Sequence, residues 1–164
     1  LRETPATRAD AAIRALAEVE AGDPLSLAHA LAAAVAEAVA WTPGATGPQT
    51  TAAEALAAGR GVCQDHAQIL VAAARHRGRP ARYVAGYMLT DQRTGEAAHA
   101  WAEIHIPGLG WVGFDAANRC CPDARYVRLG SGFDAQDAAP IRGIARARET
   151  EEMAVLVAVR SVQQ

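Results

Sequence analysis

The chain has no lysine; all sixteen of its basic residues are arginine. Together with the abundance of alanine, this points to a GC-rich bacterial genome and carries no functional signal. A charge excess is also missing. A net charge of −2 and a pI near 6.2 offer no basic surface for nucleic acid and no acidic tail. No window reaches the roughly 18 apolar residues that a membrane span needs. Residues 25–41 come nearest, and His29 and Glu37 interrupt them. No secretory leader is legible. Three cysteines, two of them adjacent, do not make a disulfide framework, so a reducing cytoplasm is the expected location. No metal, cofactor, nucleic-acid partner or membrane partner is expected.

What is present is ordinary for a folded domain. The 164 residues are 51% hydrophobic and 21% charged, enough for one domain with a sizeable core. The chain starts at Leu1 inside a helix-like segment, so a piece of a longer protein is expected. Helices are predicted over 8–21, 25–39, a short stretch from Ala52, and 63–76. The third has Thr51 as a cap with Glu54 three residues on, a capping-box pattern. The fourth begins after "GRG" and stops at Gly78. After Pro80 the texture alternates. "ARYVAGYML", "HAWAEIHI" and "WVGFDA" read as strands, with a polar turn over "TDQRTGEA" and a tight turn at "PGLG". Further strands are expected at 126–129, 142–147 and 153–162. Helices followed by an antiparallel meander give an α+β fold.

The chemistry concentrates in two places. Cys63 follows "GRG" at a predicted helix start, where free N–H groups and the positive end of the helix dipole favour a thiolate. A lone cysteine is more often a buried packing residue. Two predicted strands carry the second cluster. His99, Trp101, Glu103 and His105 share one strand face, and Trp111, Gly113 and Asp115 share one face of the next. A three-residue loop at "PGLG" would set His105 opposite Trp111 and bring His99 and Asp115 to one face, at or near opposing positions. A slip of one residue would separate them. In register, a carboxylate can orient an imidazole, the second half of a Cys–His–Asp relay for acyl transfer. Asn118 is a rival orienter, since Asn serves that role in some cysteine proteases. His66, three residues after Cys63, would neighbour it on a helix and is a rival base or a pocket wall. Trp101 can shield the imidazole. The Cys63 backbone N–H is the safest oxyanion donor, with the Gln64 side chain a second candidate. Glu103 and His105 read as a solvated strand face, and Cys120 and Cys121 as loop or packing residues. A metal site from His99, His105 and Cys63 is the least favoured reading.

The blocks "GRGVCQDHA", "PARYVAGYM" and "HAWAEIHIPGLGWVGFDAAN", with the later "IRGI", resemble the bacterial transglutaminase-like family, a branch of the papain-like cysteine enzymes. The resemblance runs from about residue 42 to 162 and is strongest over 59–118. It implies a papain-like fold, with N-terminal helices packed on an antiparallel sheet or barrel and the cysteine at a helix start. It further implies catalytic roles for Cys63, His99 and Asp115, the aspartate being preferred to Asn118 because "GFD" matches the family block. Two departures are visible: His66 stands where the family has an aromatic, and "DAAN" replaces "DPTN". An N-terminal β-domain often precedes such a core, so residues 1–164 are expected to be a single catalytic domain without it. The implied reaction is cysteine-dependent acyl transfer on a carboxamide or peptide, to water or to an amine, with a protein or peptide as substrate. Without lysine the chain cannot be its own lysyl amine donor. The competing reading is a binding module that keeps the fold without catalysis.

Overall fold

The computed structural model describes residues 2–89 and 98–140. The predicted turn over "TDQRTGEA", the strands at 142–147 and 153–162, and the "IRGI" block all lie outside the described residues.

After a 3-10 turn at Pro5–Thr7, the helical half consists of α1 (Ala11–Leu16), α2 (Pro24–Ala38), α3 (Ala52–Ala58) and α4 (Cys63–His76). Their starts are written in the sequence. Asp10 caps α1 through the Ile13 N–H, and Asp23 precedes Pro24 and accepts from the N–H groups of Leu25 and Ser26. Thr51 and Glu54 form the predicted capping box on α3, and Gly59 ends that helix in the left-handed region at φ 62°. Gly78, at φ 71°, follows the end of α4. The first helix is shorter than the expected 8–21. The Arg77 guanidinium takes the carbonyls of Ala17 and Val19. That gives these oxygens a side-chain partner in place of a further helical turn.

α4 is the core helix. From Asp65 to Arg75 every residue is buried, so it cannot show the one-sided stripe of a surface helix. Ile13, Leu31, Val35, Ala52 and Ala55 on the other helices join Ile69, Leu70 and Val71 in one cluster. Each large aliphatic side chain buried there contributes about 1.5–3 kcal/mol. Two two-residue strands, β1 (Ala40–Trp41) and β2 (Arg60–Gly61), pair in parallel and tie the end of α2 to the lead-in of α4. They are too short to leave a sequence pattern.

The sheet contains β3 (Ala81–Met88), β4 (Ala98–Ile106), β5 (Gly110–Phe114) and β6 (Tyr126–Gly132) in the order β5-β4-β3-β6. All of its pairings are antiparallel. Ala100, Ala102 and Ile104 face the core together with Ala81, Tyr83 and Ala85 opposite them. The short link from α4 to β3 makes them antiparallel neighbours. The start of α4 therefore comes level with the end of β3 and the start of β4, which is where His99 stands. Arg75 fixes this link from inside, donating to the Ala81 carbonyl and to the Thr7 hydroxyl.

The hairpin has the predicted register. His105 pairs with Trp111 and Ile106 with Gly110, leaving residues 107–109 as the loop. Gly108 and Gly110 take positive φ values of 84° and 80°. The fold is thus the α+β arrangement of helices on an antiparallel sheet.

Candidate active site

Cys63 is the first residue of α4 and is half-buried. Val62 sits in the cap position but has no side-chain acceptor. Asp65, in the first turn, instead reaches back to the Val62 N–H at 2.7 Å and takes a hydrogen bond from the Thr46 hydroxyl at 2.6 Å. This carboxylate lies against Gly61: a Cβ there would stand 2.6 Å from Asp65 Oδ2. The glycine of "GRG" nearest the cysteine is therefore required by the carboxylate that fixes the helix start.

His99 lies near the start of β4. Ala102 pairs with Phe114, so Asp115, next along, is level with Trp101 and one diagonal step from His99. The two side chains meet, with His99 Nε2 2.6 Å from Asp115 Oδ2. Asp115 is buried and His99 half-buried, their side chains 1% and 9% exposed. An ionised carboxylate only accepts, so Nε2 carries the proton of this bond and Nδ1 is the nitrogen left for Cys63. Burial of the ring opposes its charge. The Asp115 hydrogen bond, and after it the hydrogen bond with Cys63, outweigh that effect, and the His99 pKa is raised to about 9. Burial likewise pushes Asp115 up, but the hydrogen bonds from His99, Asn118 and Tyr126 hold it below the ordinary carboxylate range.

Asn118 does not replace Asp115 as the histidine's acceptor; it supports it. Its amide nitrogen donates to Asp115 Oδ2 at 2.8 Å, and its backbone N–H donates to Oδ1 at 3.1 Å. The same amide nitrogen lies 3.3 Å from His99 Nε2. Both groups are donors there, so this is a contact between two donors of one oxygen. Trp101 is buried and stacks beside the imidazole, with centroids 6.4 Å apart and planes 26° apart.

The remaining candidates are placed elsewhere. His66 is buried, its Nδ1 2.9 Å from the Val62 carbonyl and its Nε2 3.0 Å from the Val39 carbonyl. Packed between these two carbonyls, and donating its one N–H to one of them, it ties the end of α2 to the start of α4. The Gln64 amide reaches toward the Gly47 carbonyl at 3.4 Å. His105 packs edge-on against Trp111, about 20 Å along the strand from His99 by strand rise. The set His99, His105 and Cys63 is therefore not gathered. Glu103 is engaged rather than simply solvated, taking charged hydrogen bonds from Arg82 and lying near Arg128.

Two residues at the site left no signal in the sequence. Tyr126 donates to Asp115 Oδ2 at 2.8 Å, and Cys120 Sγ lies 3.3 Å from the Tyr126 hydroxyl. Cys120 also bridges to Asp115 through the backbone.

The comparisons agree with this architecture. A model of the transglutaminase-like superfamily matches residues 14–116. An uncharacterised protein of Mycobacterium tuberculosis is 39% identical over 112 residues, covering 62% of this chain and 36% of the relative. One of Mycobacterium leprae is 34% identical over 125 residues, covering 73% and 44%. The chain thus spans less than half the length of these relatives. Among solved structures, a candidate cysteine protease from Cytophaga hutchinsonii superposes with a TM-score of 0.66 at 32% identity, over 78% of this chain and 42% of that one. LapG from Legionella pneumophila, EGTA-treated, superposes with a TM-score of 0.54 at 18% identity, over 76% and 69%. At that identity the likeness is one of fold.

Proposed function

The chain belongs to the transglutaminase-like superfamily, and from that premise we propose that it is a cysteine enzyme that breaks a peptide or carboxamide bond in a protein or peptide substrate. One observation carries the reading: a half-buried His99 hydrogen-bonded to the buried Asp115 and facing a cysteine at a helix start. Cys63 Sγ attacks the carbonyl carbon. The oxyanion that forms takes the Cys63 backbone N–H, a first-turn donor with no helical acceptor. The C–N bond then breaks, and the leaving amine takes the proton held on His99, which leaves a thioester on Cys63. His99 next removes a proton from water as it attacks the thioester. The C–S bond breaks, the acid is released and the thiolate–imidazolium pair returns. Asp115 keeps the proton on Nε2, so that Nδ1 does the exchanging.

Water is the proposed acceptor, a choice supported by the likeness to the candidate cysteine protease. A Gln-containing peptide incubated with and without a primary amine tests it by mass. Hydrolysis gives the same products in both samples: a Glu peptide about 1 Da heavier where the side-chain amide is cut, or two fragments that together gain one water where the backbone is cut. A product carrying the amine would assign the reaction to amine transfer instead.

A further inference from the structure

Asp115 accepts more than His99 requires. Oδ2 alone faces three donors: His99 Nε2 at 2.6 Å, the Asn118 amide at 2.8 Å and the Tyr126 hydroxyl at 2.8 Å. Tyr126 begins β6, at the opposite edge of the four strands from β5. Its ring spans that distance by packing edge-on against Trp101 at 5.5 Å and against His99 at 5.7 Å. Gly86, between them on β3, has no room for a side chain. An added Cβ would come 2.6 Å from the Trp101 ring.

The direction of the hydroxyl proton follows from the partners. A phenol has one proton to give, and Tyr126 has two neighbours within reach, Asp115 and Cys120. The carboxylate can only accept, so it receives the proton. Cys120 Sγ, at 3.3 Å, then supplies its own S–H to the phenol oxygen. Burial first, then Cys120 and Asp115, raise the Tyr126 pKa, so the phenol keeps its proton while the imidazole titrates. The titratable and charged groups that act on this cluster are Cys63 from α4, Cys120, and Arg125, which acts on Cys120 and Tyr126.

We propose that Tyr126 is a positioning residue: with Asn118 it pins the Asp115 carboxylate so that Oδ2 faces His99 Nε2, and Cys120 completes the chain by donating to the phenol oxygen. The idea rests on the acyl-transfer reading only for its consequence, because the hydrogen bonds exist whatever the reaction. The machinery of this site is then a run of five residues, Cys120–Tyr126–Asp115–His99–Cys63, rather than three.

The test is a double-mutant cycle read on the His99 titration by NMR, in the full chain. Tyr126→Phe keeps the ring packing and deletes the hydroxyl, which is both the donor to Asp115 and the acceptor for Cys120. It should displace the His99 titration by at least about 0.3 pH unit. In an Asp115→Asn background, which keeps the shape of the side chain, the same change should displace it by nothing measurable. Circular dichroism confirms that each variant is folded. An unchanged His99 titration in folded Tyr126→Phe would overturn the proposal, and so would an equal displacement with and without Asp115. Because this readout needs no turnover, an inactive wild type would sink the acyl-transfer reading and leave this result standing.

Discussion

His99 and Asp115 are sixteen residues apart in sequence and 2.6 Å apart in space. That distance is set by a register rather than by a loop. Pairing Ala102 with Phe114 fixes which residues of β4 and β5 share a face, and a slip of one residue would turn the carboxylate to the other side of the sheet.

The first prediction separates the two candidate orienters. Asp115→Asn removes the acceptor that holds the Nε2 proton, and peptide cleavage should fall by about 100-fold or more. Asn118→Ala removes one supporting donor, a hydrogen bond of about 1 kcal/mol net, and should cost about 3- to 10-fold. Steady-state kinetics on one peptide would measure both. Should Asn118→Ala prove the more damaging, Asp115 is not the orienter.

The second concerns stability and pH. In the folded chain the His99 pKa is about 9, above the roughly 6.5 of an unfolded histidine. The folded state therefore holds the proton more tightly, and the stabilisation is complete below about pH 6.5 and lost as pH rises through about 9. The melting temperature of the wild type should exceed that of His99→Gln at pH 6, and the gap should close by pH 10. A gap that widens with pH would reverse the sign and refute the assignment.

How much of this was legible beforehand depends on what each feature leaves in the sequence. The start of α4, the Thr51–Glu54 box and the hairpin register were readable, because capping chemistry and two-residue alternation are local. The short parallel pair β1–β2 was not, since two residues carry no period. Tyr126 and Cys120 were also missed as site residues. Tyr126 reaches Asp115 from the far edge of the sheet, and only the strand order brings it there, while Cys120 comes back to Asp115 through a turn and a single bridge that leave no period. His66 looked like a possible base from its helical spacing. Its two carbonyl partners, one from Val39 far back in the chain, are tertiary and left no local mark.

A third prediction tests the packing behind the imidazole. A Cβ at position 86 would collide with the Val127 carbonyl oxygen and stand 2.6 Å from the Trp101 ring. Gly86→Ala should cost about 1–3 kcal/mol in denaturant unfolding, with the slope unchanged. A variant as stable as the wild type would mean that Trp101 and β6 are not held against this strand.

The central claim is that Cys63 and His99 act as a pair, and Cys63 alkylation as a function of pH measures it most directly. Iodoacetamide labelling is followed by peptide mapping, so that Cys120 and Cys121 are counted separately, and wild type is compared with His99→Ala. Between pH 6 and 7 the imidazolium favours the Cys63 thiolate, and the wild type should react at least about 10-fold faster. That advantage should vanish as pH rises through about 9, where His99 loses its proton. Two superimposable pH profiles would contradict the account.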